Sequence, residues 1–231
     1  MENINKIKKI CVIAVDYEHH VPRDENNKFQ TSIFKGLESL ASQTFKDFDL
    51  IICHDGPKEK TYEEEGIDFK KMGLSPIILN TPKRMNDWGH SSRDFAMRYA
   101  YENNIGEYYV IFNIDNTFEP WAFSRIAKEI NKTKNKIILF PVKHYKVFSG
   151  LTMNPDPLMY LQNSGIFLSC FKTNNTARYV DAMQLVAHRD IWKKNNFWWN
   201  KDFCADGIMY NSMCMKDMYS VIRNQCLGKN F

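Results

Sequence analysis

The sequence lacks the cysteine patterns that mark zinc sites and disulfide frameworks. Its six cysteines include no Cys-x-x-Cys pair, and no cluster of cysteine and histidine has the spacing of zinc ligands. Cys11 and Cys53 fall inside apolar runs, where a thiol usually packs as a small hydrophobic group. We therefore expect reduced cysteines and a cytoplasmic protein, either free or at a membrane surface.

Long apolar runs and blocks of like charge are also missing. No run is long enough to span a bilayer, and no apolar signal-peptide stretch follows the polar first residues, so no transmembrane segment is expected. The 31 basic and 27 acidic side chains are interspersed, which argues against a nucleic-acid partner. Without repeats or low-complexity linkers, residues 1–231 are expected to form a single domain.

What the sequence does contain is an alternation of strand-like and helix-like segments. Apolar or β-branched runs typical of strands lie at residues 9–16, 48–53, 75–80, 107–116 and 136–142. Helical spacing occurs at residues 31–42, 91–103 and 119–130, and residues 62–72 are either a helix or a loop. This order predicts an α/β fold with a mostly parallel central sheet and helices on both faces. Later in the chain we predict a loop at 149–157, a strand at 165–171 and helices at 187–194 and 206–216.

Polar side chains stand at the ends of three predicted strands. Asp16 ends the first strand, Asp55 follows the second, and Asn113 and Asp115 end the strand that begins at residue 107. In open α/β sheets these ends border the crevice that binds ligands. Asn113 and Asp115 point the same way and suit a divalent cation that shares its ligands with phosphate. The alternatives are a solvated Asp16 and turn-forming roles for Asp55 and Asp115.

Several segments, taken in order, resemble the family 2 glycosyltransferases of the GT-A fold. Residues 37–56 resemble the family passage SLxxQTxxxxExIIxDDGS, and residues 89–95 resemble GxSxARN. Residues 106–120 resemble GEYIxFLDxDDxxxP, and residues 205–207 lie where the family carries a late acid before a helix. The likeness extends over residues 9–215 and implies a Rossmann-like GT-A domain.

The resemblance implies a nucleotide-sugar-binding half at residues 1–143 and an acceptor-side half at residues 144–231. Val15, Asp16 and Tyr17 would flank the base and ribose, and Asp55 would accept a hydrogen bond from the ring N–H of the base. An Asp acceptor suits the ring N–H of uracil, so a UDP-sugar is the preferred donor. The same acceptor also suits guanine, so a GDP-sugar is the alternative. Arg93 would orient the diphosphate or the end of the fourth strand, unless it is an ordinary surface residue of its helix.

The resemblance also implies an inverting, metal-assisted transfer to a hydroxyl group. Asn113 would lie beside the ribose and the metal, Asp115 would bind Mn²⁺ or Mg²⁺, and Asp206 would be the catalytic base. Without the family likeness, Asp206 would be interpreted as a helix N-cap. The acceptor would be a glycan, a lipid-linked sugar or a protein. The absence of the family's QxxRW motif implies that the transfer is not processive.

The chain departs from the family pattern at four positions. The first strand ends in Asp16 and Tyr17 rather than Pro-x-x-Asn, and Asp94 stands where Asn is usual. His54 replaces the first acid of DDG, and Asn113 replaces the first acid of DxD. The second change leaves open a catalytically silent nucleotide-sugar-binding or scaffold module. A nucleotidyltransferase would need a glycine-rich phosphate loop after the first strand, and residues 16–23 contain no glycine.

Four further residues have both a functional and a structural interpretation. Trp198 and Trp199 could stack on an acceptor sugar, although such aromatic pairs more often pack against the core. His144 or His188 could supply a further metal ligand, although a single histidine usually has another role.

Overall fold

The computed structural model of the chain describes residues 10–16, 33–133, 135–144, 166–167, 182–201, 205–214, 217–222 and 226–230. The strands among them are β1 (Ile10–Asp16), β2 (Phe48–His54), β3 (Ile77–Asn80), β4 (Tyr108–Asn113), β5 (Thr117–Phe118), β6 (Ile137–Leu139), β7 (Val142–His144), β8 (Ile166–Phe167), β9 (Leu185–His188), β10 (Tyr219–Val221) and β11 (Gly228–Asn230). The helices are α1 (Ile33–Ala41), α2 (His90–Glu102), α3 (Ala122–Lys132), α4 (Arg189–Lys194) and α5 (Ala205–Cys214).

A seven-stranded sheet with the order β3-β2-β1-β4-β9-β6-β10 organises the described residues. The pairs of β1 with β2 and with β4 are parallel, whereas β9 runs antiparallel to both β4 and β6. Asp16 lies opposite His54 and Val15 lies opposite Asn113. The carboxyl ends of the three central strands therefore meet at one edge, as the sequence predicts.

Helices cover both faces of this sheet because its central strands are apolar on both sides. Alternate residues of β1 enter two separate cores: Ile10 and Val12 pack with α1 and α3, and Cys11 and Ile13 pack with α2, α4 and α5. The mostly parallel α/β architecture with two-sided helical cover is thus confirmed. Cys11 is a small core residue, as expected.

Some element boundaries predicted from the sequence were wrong. Residues 187 and 188, predicted to begin a helix, are the end of β9, and α4 begins only at Arg189. The apolar run of β9 fills the gap between β4 and β6, a long-range pairing that local periodicity does not reveal. The strand predicted at 136–142 is two strands, because Pro141 lacks the N–H needed to continue a ladder.

A four-stranded sheet with the order β5-β11-β7-β8 lies beside the carboxyl end of β4, to which β5 is joined by a short turn. Residues 62–72 form turns rather than a helix. The predicted loop at 149–157 lies outside the described residues, as does the strand predicted at 165–171 apart from β8. In the described part of the chain, no helix has the length and apolarity needed to cross a membrane.

Candidate functional site

Asp16 closes β1 and is buried rather than solvated. Tyr62 donates its hydroxyl to Asp16 Oδ2 at 2.8 Å, and Lys58 Nζ lies 3.9 Å from the same oxygen. Burial raises the pKa of the Asp16 carboxyl, and the Tyr62 hydrogen bond and the Lys58 charge oppose that shift only in part. Neither partner is apparent in the sequence, because residues 58 and 62 lie more than forty positions after Asp16.

Asp55 follows β2 and anchors the loop at residues 81–89. Its carboxylate accepts backbone N–H groups from Met85 and Asn86, both at 2.9 Å, and is 97% buried with the rest of the residue. The Asp55 backbone N–H donates to the Asp16 carbonyl oxygen at 3.0 Å, so the two acids are adjacent. The Thr81 hydroxyl lies 3.5 Å from Oδ1 as a third donor, and a carboxylate has about four acceptor positions.

His54 lies where the family motif DDG has its first Asp, and its imidazole bonds to the backbone of the turn that follows. Its Nδ1 lies 2.8 Å from the Gly56 carbonyl oxygen, which can only accept, so Nδ1 carries the proton. Gly56 has φ of +89°, and a Cβ there would lie 2.9 Å from the Arg84 backbone nitrogen. The Asp-Gly turn therefore requires glycine for both its conformation and its close contact. Asp55 thus forms the turn and also lies at the edge formed by the carboxyl ends of the central strands.

Arg93 connects α2 to the end of β4. Its guanidinium donates to Asn113 Oδ1 at 2.6 Å and to His90 Nδ1 at 2.9 Å, and lies 5.1 Å from the centre of the Trp198 ring. Trp198 Nε1 also donates to His90 Nδ1, at 3.0 Å, so this nitrogen is unprotonated. All these partners are neutral, and among the described residues Nε of the buried Arg93 has no hydrogen-bond partner. Arg93 is therefore a buried cation without a described counterion, not a surface residue.

Asp115 lies at the tip of the turn that leaves β4. Backbone bonds from Ile114 N–H to the Val15 carbonyl, 3.1 Å, and from Asn116 N–H to the Asn113 carbonyl, 2.9 Å, fix this turn beside β1. The Asp115 side chain is half-buried. The turn thus holds Asp115 at the same edge of the sheet as Asp16 and Asp55.

Asp206 reaches this edge from a distant part of the chain. It is the second residue of α5, and its Oδ2 accepts the Ala182 backbone N–H at 3.0 Å. The neighbouring Met183 accepts a hydrogen bond from Asn116 Nδ2 at 3.6 Å, and Asn116 adjoins Asp115. A short hydrogen-bonded path therefore joins the segments that carry Asp206 and Asp115.

The donors at the edge fit a divalent cation that takes most of its ligands from a phosphate and water. In the described ranges, no group of three or more His, Cys, Asp or Glu side chains could hold a metal ion alone. The Asn113 side-chain oxygen is bound by Arg93, and Asp115 is the neighbouring carboxylate that could hold such a cation. Mg²⁺ in proteins commonly binds one or two carboxylates together with substrate phosphates, so one carboxylate is compatible with a cation that arrives with a phosphate ligand.

The remaining predicted residues are placed as follows. Val15 is buried within β1, and Tyr17 and the His144 side chain lie outside the described residues. His188 pairs with Tyr108 at the opposite end of β4, which removes it as a metal ligand. Trp198 is fully buried and is a packing residue.

Asp94, at the position usually held by Asn, ties α2 to the tryptophan segment. Its Oδ1 accepts the Trp198 backbone N–H at 3.1 Å, and its Oδ2 accepts Arg98 Nε at 3.0 Å. The carboxylate serves both a neutral and a charged donor, which explains an acid at this position. Asp94 was noted in the sequence only as a departure from the family pattern.

No protein-family model matches the chain, and no curated protein matches it. Its fold is similar to that of TarS 1–349 from S. aureus in complex with UDP, with 14% identity, a TM-score of 0.68, and coverage of 96% of this chain and 60% of that one. The mannosyltransferase PcManGT from Pyrobaculum calidifontis, in complex with GDP-Man and Mn²⁺, is similar with 11% identity, a TM-score of 0.59, and coverage of 98% and 57%. The chain thus spans about three fifths of these structures, and it has the GT-A glycosyltransferase fold.

Proposed function

We propose that the chain is an inverting glycosyltransferase that moves a sugar from a nucleotide diphosphate, UDP in preference to GDP, to a hydroxyl acceptor. The observation that supports the proposal is that hydrogen bonds connect the four separate segments that carry Asp16, Asp55, Asp115 and Asp206. Carboxylates at such an edge suit a nucleotide sugar that binds together with a divalent cation. Structural neighbours in complex with UDP and with GDP-Man support a nucleotide-sugar donor.

On the donor side, Asp55 accepts the ring N–H of the base, and Val15, Asp16 and Tyr17 border the base and ribose. Arg93 supplies positive charge toward the diphosphate, because its partners among the described residues are an amide, an imidazole and an indole. A buried cation without a carboxylate is costly unless a ligand supplies the anion.

Asp115 is the residue that would hold Mn²⁺ or Mg²⁺. When bound, the cation offsets the negative charge that develops on the leaving diphosphate. Asn113 is held beside this position by Arg93 and orients the strand end rather than adding a second negative charge.

Asp206 acts as the general base. It removes the proton from the acceptor hydroxyl while that oxygen forms a bond to the anomeric carbon. The bond between the anomeric carbon and the β-phosphate oxygen breaks, and UDP leaves with the electron pair, through an oxocarbenium-like transition state. Residues 144–231, which include α5, form the acceptor side, and β9 and β10 from this half complete the same sheet as β1–β4.

A thermal-shift screen of UDP- and GDP-sugars with and without Mn²⁺ tests binding. A ligand at about 100 times its Kd adds about 2.7 kcal/mol, or about 5–10 °C in Tm for a chain of this size. UDP-sugars with Mn²⁺ should give the largest shift. A screen in which no nucleotide sugar raises the Tm would contradict the proposal.

Release of UDP from the best donor tests catalysis. Asp206→Asn should abolish transfer and keep the thermal shift, whereas Asp115→Ala should lose the Mn²⁺-dependent part of both. Asp190→Asn is the matched control, because this acid is 53% exposed on α4 at the opposite edge of the sheet and should change neither. Full activity in both site variants would remove these assignments.

A catalytically silent binding module is the second candidate, and one contact favours it. Arg93 donates a hydrogen bond to the Asn113 side-chain oxygen at 2.6 Å. An Asp at position 113 would instead offer a second carboxylate to a metal ion. This candidate predicts tight UDP binding without turnover over a broad panel of donors and acceptors. Turnover that depends on Asp206 excludes it.

A further inference from the structure

The buried side of α1 carries small and polar residues among its apolar ones. Gly36 and Ser39 are buried together with Leu37 and Leu40, and Gln43, in the turn that follows the helix, is fully buried. Gly36, Ser39 and Gln43 are three and four positions apart, so they lie on one side of the helix and its end. Buried hydroxyl and amide groups are costly unless they are hydrogen-bonded, so the partners of Ser39 and Gln43 explain why polar residues are present here.

Ser39 bonds to β5, the short strand that follows the turn after β4. Its Oγ accepts the Phe118 backbone N–H at 3.2 Å and donates to the Gly36 carbonyl oxygen at 2.7 Å. The next amide of the strand points to the opposite side, where the Glu119 N–H donates to the Leu227 carbonyl oxygen at 2.8 Å. Ser39 therefore fixes the side of β5 that faces α1, whereas β11 and the residue before it fix the other side.

Gln43 bonds to the start of α3. Its Nε2 donates to the Glu119 carbonyl oxygen at 2.9 Å, and its Oε1 accepts the Phe123 backbone N–H at 3.1 Å. Phe123 is the second residue of α3, and the side chain of the N-cap residue Trp121 makes no capping hydrogen bond. The first N–H groups of a helix need acceptors from outside it, so Gln43 caps α3 from a distant part of the chain.

These bonds bracket the turn that carries Asp115. Before the turn, the Ile114 N–H donates to the Val15 carbonyl oxygen at 3.1 Å, and after it the Phe118 N–H donates to Ser39. Only residues 115–117 lie between these two bonds. The first bond joins backbone to backbone, whereas the second depends on a side chain, so a substitution at Ser39 releases the turn on one side only.

We propose that Ser39 and Gln43 are positioning residues of the cation site, which hold the chain after Asp115 so that its carboxylate keeps the position that cation binding requires. The inference rests on the proposed function, which assigns Asp115 to the cation. A metal ligand must keep its oxygen within about 0.2 Å of the ideal distance, so a small movement of the turn weakens binding. Removal of the Ser39 hydroxyl leaves the Phe118 N–H without this acceptor, and the turn moves when that group finds another partner.

Binding of Mn²⁺ in the presence of UDP tests the inference without any need for turnover. The Kd is measured by electron paramagnetic resonance of free Mn²⁺, with a protein-free UDP sample as the blank. Ser39→Ala should raise this Kd about tenfold, the lower end of the effect of residues that orient metal ligands. Gln43→Met, which keeps a similar volume but makes no hydrogen bonds, should raise it as well. UDP without Mn²⁺ should bind Ser39→Ala as it binds the wild type, because the contacts at Asp55 are unchanged.

Two control variants separate positioning from a general loss of stability. Ser42→Ala removes a hydroxyl that donates to the Ser39 carbonyl oxygen at the end of α1, and it should leave the Kd of Mn²⁺ unchanged. Ile137→Val lowers stability in the core on the other face of the sheet, and it should also leave this Kd unchanged.

The outcomes distinguish this inference from the proposed function. Equal Kd values for Mn²⁺ in the wild type and Ser39→Ala, or an equally large rise in Ile137→Val, would overturn the inference and leave the proposed function intact. Loss of metal-free UDP binding in Ser39→Ala would also overturn it, because the disruption would then extend beyond the cation site. A wild type that binds neither UDP nor Mn²⁺ would refute the proposed function and this inference together.

Discussion

Gly36 offers a sharp test of how the fold holds Asp115, because two physical effects oppose each other there. Gly36 lies in α1, and replacement of a helical glycine by alanine ordinarily stabilises a protein by about 0.5–1 kcal/mol. At this position, however, an added Cβ would overlap the Ile114 carbonyl oxygen and lie 3.1 Å from the Asn116 carbonyl oxygen. Both groups are backbone and belong to the turn that carries Asp115.

The packing effect should dominate in Gly36→Ala. Relief of the overlap requires α1 and the turn to separate by on the order of 1 Å, and overpacking of this kind costs about 1–3 kcal/mol. After subtraction of the helix-propensity gain, the free energy of unfolding should fall by about 0.5–2 kcal/mol. Displacement of a catalytic group by this distance can lower the rate about 100-fold, so transfer should fall much more than stability.

Urea unfolding and UDP release measure the two effects. Lys35→Gly and Lys35→Ala form the matched pair, because this exposed residue precedes Gly36 in the same helix and reports the glycine-to-alanine difference without a packing clash. Alanine should be the more stable of the pair at residue 35. A Gly36→Ala protein at least as stable as the wild type, with normal transfer, would refute the reasoning.

Two further predictions follow from the buried charges. Arg93→Lys should lower the free energy of unfolding by about 1–3 kcal/mol, because one ammonium cannot replace the planar guanidinium between Asn113 and His90. Arg125→Lys is the comparison, because Arg125 makes a single contact with the Glu129 carboxylate that a lysine ammonium can replace; it should cost about 0.5 kcal/mol. Equal losses in urea unfolding would contradict this. Burial raises the pKa of Asp16 above 3.8, so the native state retains that proton to higher pH than the unfolded chain. The free energy of unfolding of the wild type should therefore fall as the pH rises from 3.8 through the pKa of Asp16 in the native state, and Asp16→Asn should lose this part of the pH dependence. Urea midpoints that change with pH in parallel for the two proteins would oppose the assignment.

The sequence allowed prediction of the features that local patterns determine. Apolar runs revealed β1, β2 and β4, and parallel pairing then required Asp16, Asp55 and Asn113 to share an edge. These inferences needed no knowledge of distant contacts, because each strand carries its own polar terminus.

Features that depend on distant contacts were not predictable in the same way. Tyr62 bonds Asp16 across 46 positions, and Ala182 bonds Asp206 across 24. The short apolar run of β9 is equally compatible with a helix until the gap between β4 and β6 is known. Arg93 was matched by motif, but the interaction of its guanidinium with Asn113 becomes evident only when α2 packs on the sheet.

A crystal structure of the chain with UDP and Mn²⁺, with manganese located by its anomalous signal, tests the central claim most directly. We expect uracil at Asp55, the diphosphate between Arg93 and Asp115, and manganese bound to the Asp115 carboxylate. A nucleotide bound elsewhere, or manganese without Asp115 among its ligands, would contradict it.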